Sequence, residues 1–78
     1  MNVTITPTTV DARGLACPMP IVKAAQWAKT AESGQLMDLL STDAGALKDV
    51  PAWCRSTGNE LVEQRAEAGV QHFLIRRA

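Results

Sequence analysis

The sequence predicts a two-layer α/β sandwich of the α+β kind, with the order β-α-β-α-β-β and two helices laid on one face of a four-stranded mixed sheet. Three observations lead there. Residues 18–33 repeat apolar side chains at helical period, a second helical segment surrounds Asp49 to Cys54, and the chain closes on two strand-like runs separated by a short turn. A strand, helix, strand passage within one sheet makes a right-handed crossover, which puts both helices on the same side. The opposite sheet face is then left partly open to solvent.

Taken in order, the first strand is expected at Thr8 to Ala12, after Pro7, because proline is confined to strand starts and edges. From Pro18 to about Ser33 the helical projection gathers Ile21, Ala24, Ala25, Ala28 and Ala31 on one side, with Trp27 at its edge. Lys23, Gln26, Lys29, Thr30 and Ser33 occupy the other side. An alanine face lets a helix lie close on a sheet, and Gly34 stands where a C′ residue would end it. Gln35 to Thr42, with Leu36, Met37, Leu39 and Leu40, has the length of a strand. In the second helix Asp49 or Val50 is the expected N-cap, with Pro51 in the first turn, where a missing N–H costs nothing. Asn59 to Ala66 and Val70 to Arg77 then form a hairpin around Glu67-Ala68-Gly69.

Composition narrows the function. The chain has 78 residues, eight basic and eight acidic, 46% hydrophobic and 21% charged, the balance of an ordinary globular domain. Residues 1–78 are expected to form one domain, with residues 1–7 flexible, and there is too little chain for a two-domain enzyme. No stretch approaches the roughly 18 apolar residues of a membrane span. Met1 to Val10 lacks the basic and apolar regions of a secretory signal, so a cytoplasmic location is expected, with free thiols. Zero net charge without a basic stripe argues against a nucleic-acid surface. There is no Cys-x-x-Cys and no Cys-His cluster to hold a metal, and no glycine-rich phosphate loop, so neither metal nor cofactor is expected. The lone His72 reads as a surface or edge-strand side chain.

What remains is Arg13-Gly14-Leu15-Ala16-Cys17-Pro18-Met19-Pro20. Cys17 is expected at the N-cap of the first helix, with Pro18 and Pro20 at the first and third helical positions, where they are tolerated and stiffen the loop. The helix dipole should lower the thiol pKa, modestly, because the two prolines delete N–H donors and leave mainly those of Met19 and Ile21. Such a thiolate suits sulfur that is received and then released. Met19 and Val22 project to the polar side about one turn from Cys17. They read either as a docking surface, with Arg13, Lys23 and Lys29 beside them facing a partner with an apolar notch and acidic rim, or as the scattered apolar residues that surfaces allow. Cys54, beside Trp53, reads as a small buried hydrophobe in preference to a resolving thiol. A Cys17–Cys54 disulfide would need Cα atoms within roughly 7 Å.

Gly14-Leu-Ala-Cys17-Pro18-Met-Pro20, Asp49-Val50-Pro51-Ala-Trp53-Cys54 and Phe73-Leu-Ile-Arg76 resemble the TusA/SirA-like family of small sulfur-carrier proteins. The resemblance spans nearly all of the chain beyond residue 9. It implies a βαβαββ sandwich similar to the C-terminal domain of bacterial translation initiation factor three. It also implies that Cys17 takes sulfane sulfur as a persulfide from a cysteine desulfurase or a rhodanese and hands it to a downstream acceptor protein. Gly14, Leu15, Pro18 and Pro20 would support the motif. The sulfur would end in tRNA 2-thiouridine, or in sulfur oxidation, molybdenum cofactor assembly or selenium metabolism. The carrier would act stoichiometrically with partner enzymes, as a monomer on its own and without touching nucleic acid or membrane. Asp43-Ala44 departs from the Asp-Pro of many members, which leaves the carrier role intact and the pathway open. Two other classes stand beside this reading: a thiol redox protein using Cys17 with Cys54, and a regulatory module in which Cys17 is dispensable.

Overall fold

The computed structural model describes residues 6–78; the expectation of a flexible N-terminus falls largely on residues 1–5, outside that range. The elements are β1 (Thr8–Ala12), α1 (Met19–Thr30), β2 (Leu36–Ser41), α2 (Ala46–Thr57), β3 (Glu60–Glu67) and β4 (Val70–Arg76). They form the βαβαββ α+β sandwich that the sequence predicts. In the sheet the order is β1-β2-β4-β3, with β1 parallel to β2 and β4 antiparallel to both β2 and β3. The hairpin partner β4 therefore fills the place between β2 and β3.

Alternation along the strands sorts the side chains between the two faces. Ala12, Met37, Leu39, Phe73 and Ile75 are buried on the helix side together with Ala24 of α1 and Ala46, Val50 and Cys54 of α2. Ile21, Trp27, Trp53 and Leu61 close the margins of this core. Each fully buried Met, Leu, Ile or Phe contributes roughly 1.5–3 kcal/mol, so a few such side chains carry much of a thin core. Asp38, Leu40, His72 and Leu74 alternate onto the open face. The edge strand β3 is almost wholly exposed, carries alternating charges and has a register shift between Leu61 and Glu63, features that blunt a sheet edge against further pairing.

Both helix boundaries differ from expectation. α1 ends at Thr30 with Ala31 extended, not at Gly34, because the Gln35 side chain takes the Glu32 N–H at 2.8 Å. Gly34 instead turns the chain into β2 and donates to the Arg77 carbonyl at 2.8 Å. α2 begins one turn earlier than expected, at Ala46 after an N-cap Gly45. The carbonyls of Asp43, Ala44 and Gly45 accept the N–H groups of Ala46, Leu47 and Lys48, and Gly45 accepts that of Asp49 as well. Asp49 is thus inside the helix. Pro51 lies in the helix interior and not in its first turn, so the Leu47 carbonyl lacks its usual donor. His72 also moves: β4 is a central strand, and the ring sits on the open face with Nδ1 3.3 Å from both Asp38 carboxylate oxygens, not at an edge.

The β3–β4 loop is shorter than expected, since Glu67 still pairs with Val70 and only Ala68 and Gly69 turn, with φ of 49° and 80°. Positive φ at both central residues is the type I′ requirement, and a left-handed alanine costs about 1–2 kcal/mol where asparagine is tolerated. Ala68→Asn should raise stability by about 0.5–1 kcal/mol. Urea unfolding should show a higher midpoint at an unchanged slope; an unmoved midpoint would mean that the loop relieves the alanine in another way.

Candidate functional site

The site is made where two parallel strands end. β1 and β2 run side by side, so the loops that leave them, each leading to a helix, emerge at the same edge of the sheet. The Gly14 N–H donates to Thr42 Oγ1 at 2.9 Å and ties one loop to the other. Gly14 has φ of 76°, a left-handed conformation that lets the chain reverse after β1. The Leu15 N–H then bonds the Ala12 carbonyl at 3.2 Å while its side chain packs against the core. Pro20 is fully buried, and Pro18 is the N-cap residue. The Cys17–Pro18 peptide bond is cis.

Cys17 therefore stands just before the N-cap, not at it, and Pro20 is the second helical residue, not the third. The Met19 N–H, expected to face the sulfur, donates to the Ala16 carbonyl at 2.9 Å. The thiol turns instead to α2 and donates to Asp49 Oδ2 at 2.9 Å. This reverses the expected electrostatics. The Asp49 hydrogen bond leads in raising the thiol pKa above its ordinary value; desolvation and the nearby charges of Asp49 and Asp43 act in the same direction. A negative charge beside a thiol opposes formation of a second one.

Gly45 packs against this contact. A Cβ placed there would lie 2.8 Å from Asp43 Oδ2 and 3.7 Å from both Asp49 Oδ2 and the Cys17 Cβ. Asp43 Oδ2 is itself closed off from water without a hydrogen-bond partner. Asp43, Gly45, Asp49 and Cys17 thus converge from two segments. Sequence reasoning missed Asp49, which it had assigned to a helix cap, and nothing local marks a residue 32 positions away as a partner of the thiol.

The other candidate residues are placed as follows. Met19 and Val22 are exposed, at 41% and 37%, and Leu47 in the first turn of α2 is exposed at 44%. Leu47 was also missed, because the helix was expected to start after it. Arg13 is exposed but engaged, with Nε and Nη2 on the two Asp11 oxygens at 2.9 Å each. That fork, with the Arg13 N–H, holds the Asp11 carboxyl at about 2. Lys23 is half-buried and contributes to the same carboxylate, while Lys29 is exposed in the last turn of α1. Cys54 is 3% exposed within the core, and both cysteines are free thiols, so no Cys17–Cys54 disulfide is present. Burial raises the Cys54 thiol. A concavity of about 350 Å³ lies toward the other helix ends, between Ala28, Lys29, Trp53 and Arg77. There Arg77 Nε caps the Ala28 carbonyl at 2.9 Å, which accounts for that cation structurally.

The family described as Sulfurtransferase TusA matches residues 8–77. The chain is 44% identical over 69 residues to the sulfur carrier protein TusA of Allochromatium vinosum, covering 88% of this chain and 91% of that protein. It is 44% identical over 68 residues to the putative sulfur carrier protein YrkI of Bacillus subtilis, covering 87% and 91%. With the sulfur carrier protein TusA of Pseudomonas putida F1 it shares 34% over 68 residues, covering 87% and 85%. A match running from the first strand to the end of the last, at this identity and coverage, makes the chain a member of the TusA family of sulfur carriers.

Proposed function

We propose that the protein carries sulfane sulfur as a persulfide on Cys17, receives it from a cysteine desulfurase or a rhodanese, and passes it to a cysteine of a downstream acceptor protein. The observation that carries the reading is the inequality of the two thiols: Cys17 is exposed on a loop tied down at Gly14, and Cys54 is shut in the core. A relay needs one sulfur that two partners can reach in turn. Loading is thiol exchange, in which the Cys17 sulfur attacks the outer sulfur of the donor persulfide and the donor thiolate leaves. Such a carrier is consumed and regenerated stoichiometrically, its partners supplying the rest of the chemistry. The burial of Cys54 weighs against a redox pair, since it gives Cys17 no second thiol to close on.

Gly14, Leu15, Pro18 and Pro20 serve the thiol by fixing the loop. Met19 and Val22, with Leu47 added from α2, form an apolar rim for a partner, and Lys23 and Arg13 flank it. Arg13 acts there as part of an ion pair with Asp11 more than as a free cation. The reading takes residues 1–78 as one carrier domain, monomeric on its own and working in the cytoplasm among proteins, with no direct contact to nucleic acid. Among the described residues no helix is long and apolar enough to cross a membrane. The sulfur's destination, tRNA 2-thiouridine or a sulfur-oxidation route, is set by which acceptor docks.

Incubation with a cysteine desulfurase and cysteine should add the mass of about one sulfur atom, removable by reductant, to the wild type and to Cys54→Ala, and none to Cys17→Ser. Uptake by Cys17→Ser, or none by the wild type from any sulfane donor, would overturn the reading. Met19→Glu and Leu47→Glu should each slow transfer by roughly threefold or more when carrier is limiting. Their unfolding free energies should stay within about 0.5 kcal/mol of the wild type, as expected for exposed positions. Unchanged transfer rates would remove the apolar rim from the account.

A further inference from the structure

We infer that Asp49 is a positioning residue for Cys17: its carboxylate holds the thiol proton across the gap between α2 and the β1–α1 loop, and it restrains the empty carrier until a partner brings a cation against it. The consequence for sulfur transfer rests on the carrier reading of Cys17, whereas the contact itself stands on geometry. The Cys17 Sγ to Asp49 Oδ2 distance is 2.9 Å, and Gly45 packs beside the pair, where a Cβ would lie 3.7 Å from both Asp49 Oδ2 and the Cys17 Cβ.

The charged groups turned toward the sulfur are Asp49 from α2 and Asp43 from the β2–α2 loop, and both are acidic. Arg13, the cation of the thiol's own loop, is committed to Asp11, and Lys23 acts on that same carboxylate. The described chain therefore supplies two negative charges at the thiol and no cation that offsets them. Since the thiolate is the nucleophile, this arrangement restrains Cys17 toward any reagent that arrives without positive charge. The exposed side chains of Met19, Val22 and Leu47 would exclude water beneath a docked partner, and a cation set against Asp49 there is attracted more strongly than in open solvent. The partner chemistry that fits is a protein whose reactive sulfur has an arginine or lysine beside it.

The transfer balances without an outside oxidant or reductant. Cys17–SH and donor R–S–SH become Cys17–S–SH and R–SH. The Cys17–S bond forms, the donor S–S bond breaks with its electron pair going to the donor sulfur, and the proton lost at Cys17 is matched by the one gained at R–S⁻. When the partner's cation offsets the Asp49 charge, that proton is no longer held at Cys17. Asp49 touches the sulfur but forms no bond in the exchange, so its action is on the readiness of Cys17.

The test needs no sulfur donor, so its failure is separable from failure of the carrier reading. Alkylation of Cys17 by iodoacetamide is followed across pH in the full chain, with adducts assigned by peptide mass, for wild type, Asp49→Asn and Asp49→Glu. Asp49→Asn should react roughly threefold to tenfold faster at neutral pH, with its profile moved to lower pH, and Asp49→Glu should restore the wild-type profile. In parallel, two methanethiosulfonates, one bearing trimethylammonium and one sulfonate, report charge preference. The wild type should favour the cation, and the cation-to-anion rate ratio should fall by about threefold or more in Asp49→Asn. Protection of Cys54 from the same reagents shows that each variant is folded. Equal wild-type rates with the two reagents, or superimposed profiles and ratios for folded wild type and Asp49→Asn, would overturn the inference. Loss of persulfide uptake by Cys17 alongside the expected alkylation results would instead remove the carrier reading and leave Asp49 in place.

Discussion

The parallel pairing of β1 with β2 is the constraint on which the site depends. Parallel neighbours present their carboxyl ends at one edge, and each here leads through a short loop into a helix. The loop after β1 supplies Cys17, and the loop after β2 supplies Asp43 and Gly45 on the way to Asp49. In open α/β sheets the crevice at the carboxyl ends of strands is where chemistry collects, and this small sheet follows the same geometry with a single reactive group. Had β4 inserted between β1 and β2, the two loops would be one strand further apart. Its insertion beyond β2 keeps them adjacent.

From that adjacency comes a competition at the start of α1. A helix N-terminus favours negative charge, through its free N–H groups and its dipole. Here the donors are thinned by Pro18 and Pro20, the Met19 N–H is used by Ala16, and a carboxylate lies 2.9 Å from the sulfur. A directly hydrogen-bonded carboxylate opposes the effect of a helix dipole at such an exposed position. The helix start therefore serves to place the sulfur, and the acidic neighbour decides its protonation.

These facts also explain what could be read from the sequence. The strands were legible as short apolar or β-branched runs between turn residues, and the helix-facing side of α1 because Ala24 and its neighbours recur at helical period. Cys17 stood out because so little else in the chain carries chemistry. Helix starts were less legible: Pro51 looked like a first-turn proline, yet the loop carbonyls from Asp43 to Gly45 begin the helix one turn sooner and the proline is accommodated inside it. That shift of one turn hid Leu47 and Asp49 together. Of the two readings of His72, surface or edge strand, only the edge fails, since whether a hairpin's second strand is central or at an edge is decided by the pairing of β4 with β2, which no local pattern encodes.

Both thiols are raised in pKa, but with different leading causes, and the difference separates their surroundings. Desolvation raises Cys54, and to lift it the core around Val50 and Phe73 would have to open. The Asp49 hydrogen bond leads in raising Cys17 at a solvent-facing position, with desolvation and charge behind it, and a second molecule can offset a charge without disturbing the fold. A group held back by burial answers to unfolding, and a group held back by a neighbouring carboxylate answers to whatever docks beside it. A protein with one small core has little stability to spend on internal rearrangement, so a restraint that a partner relieves from outside is the form of control open to it. The same residue type at two positions thus becomes a core filler at one and a responsive thiol at the other, through the strand pairing that brings Asp49 to Cys17.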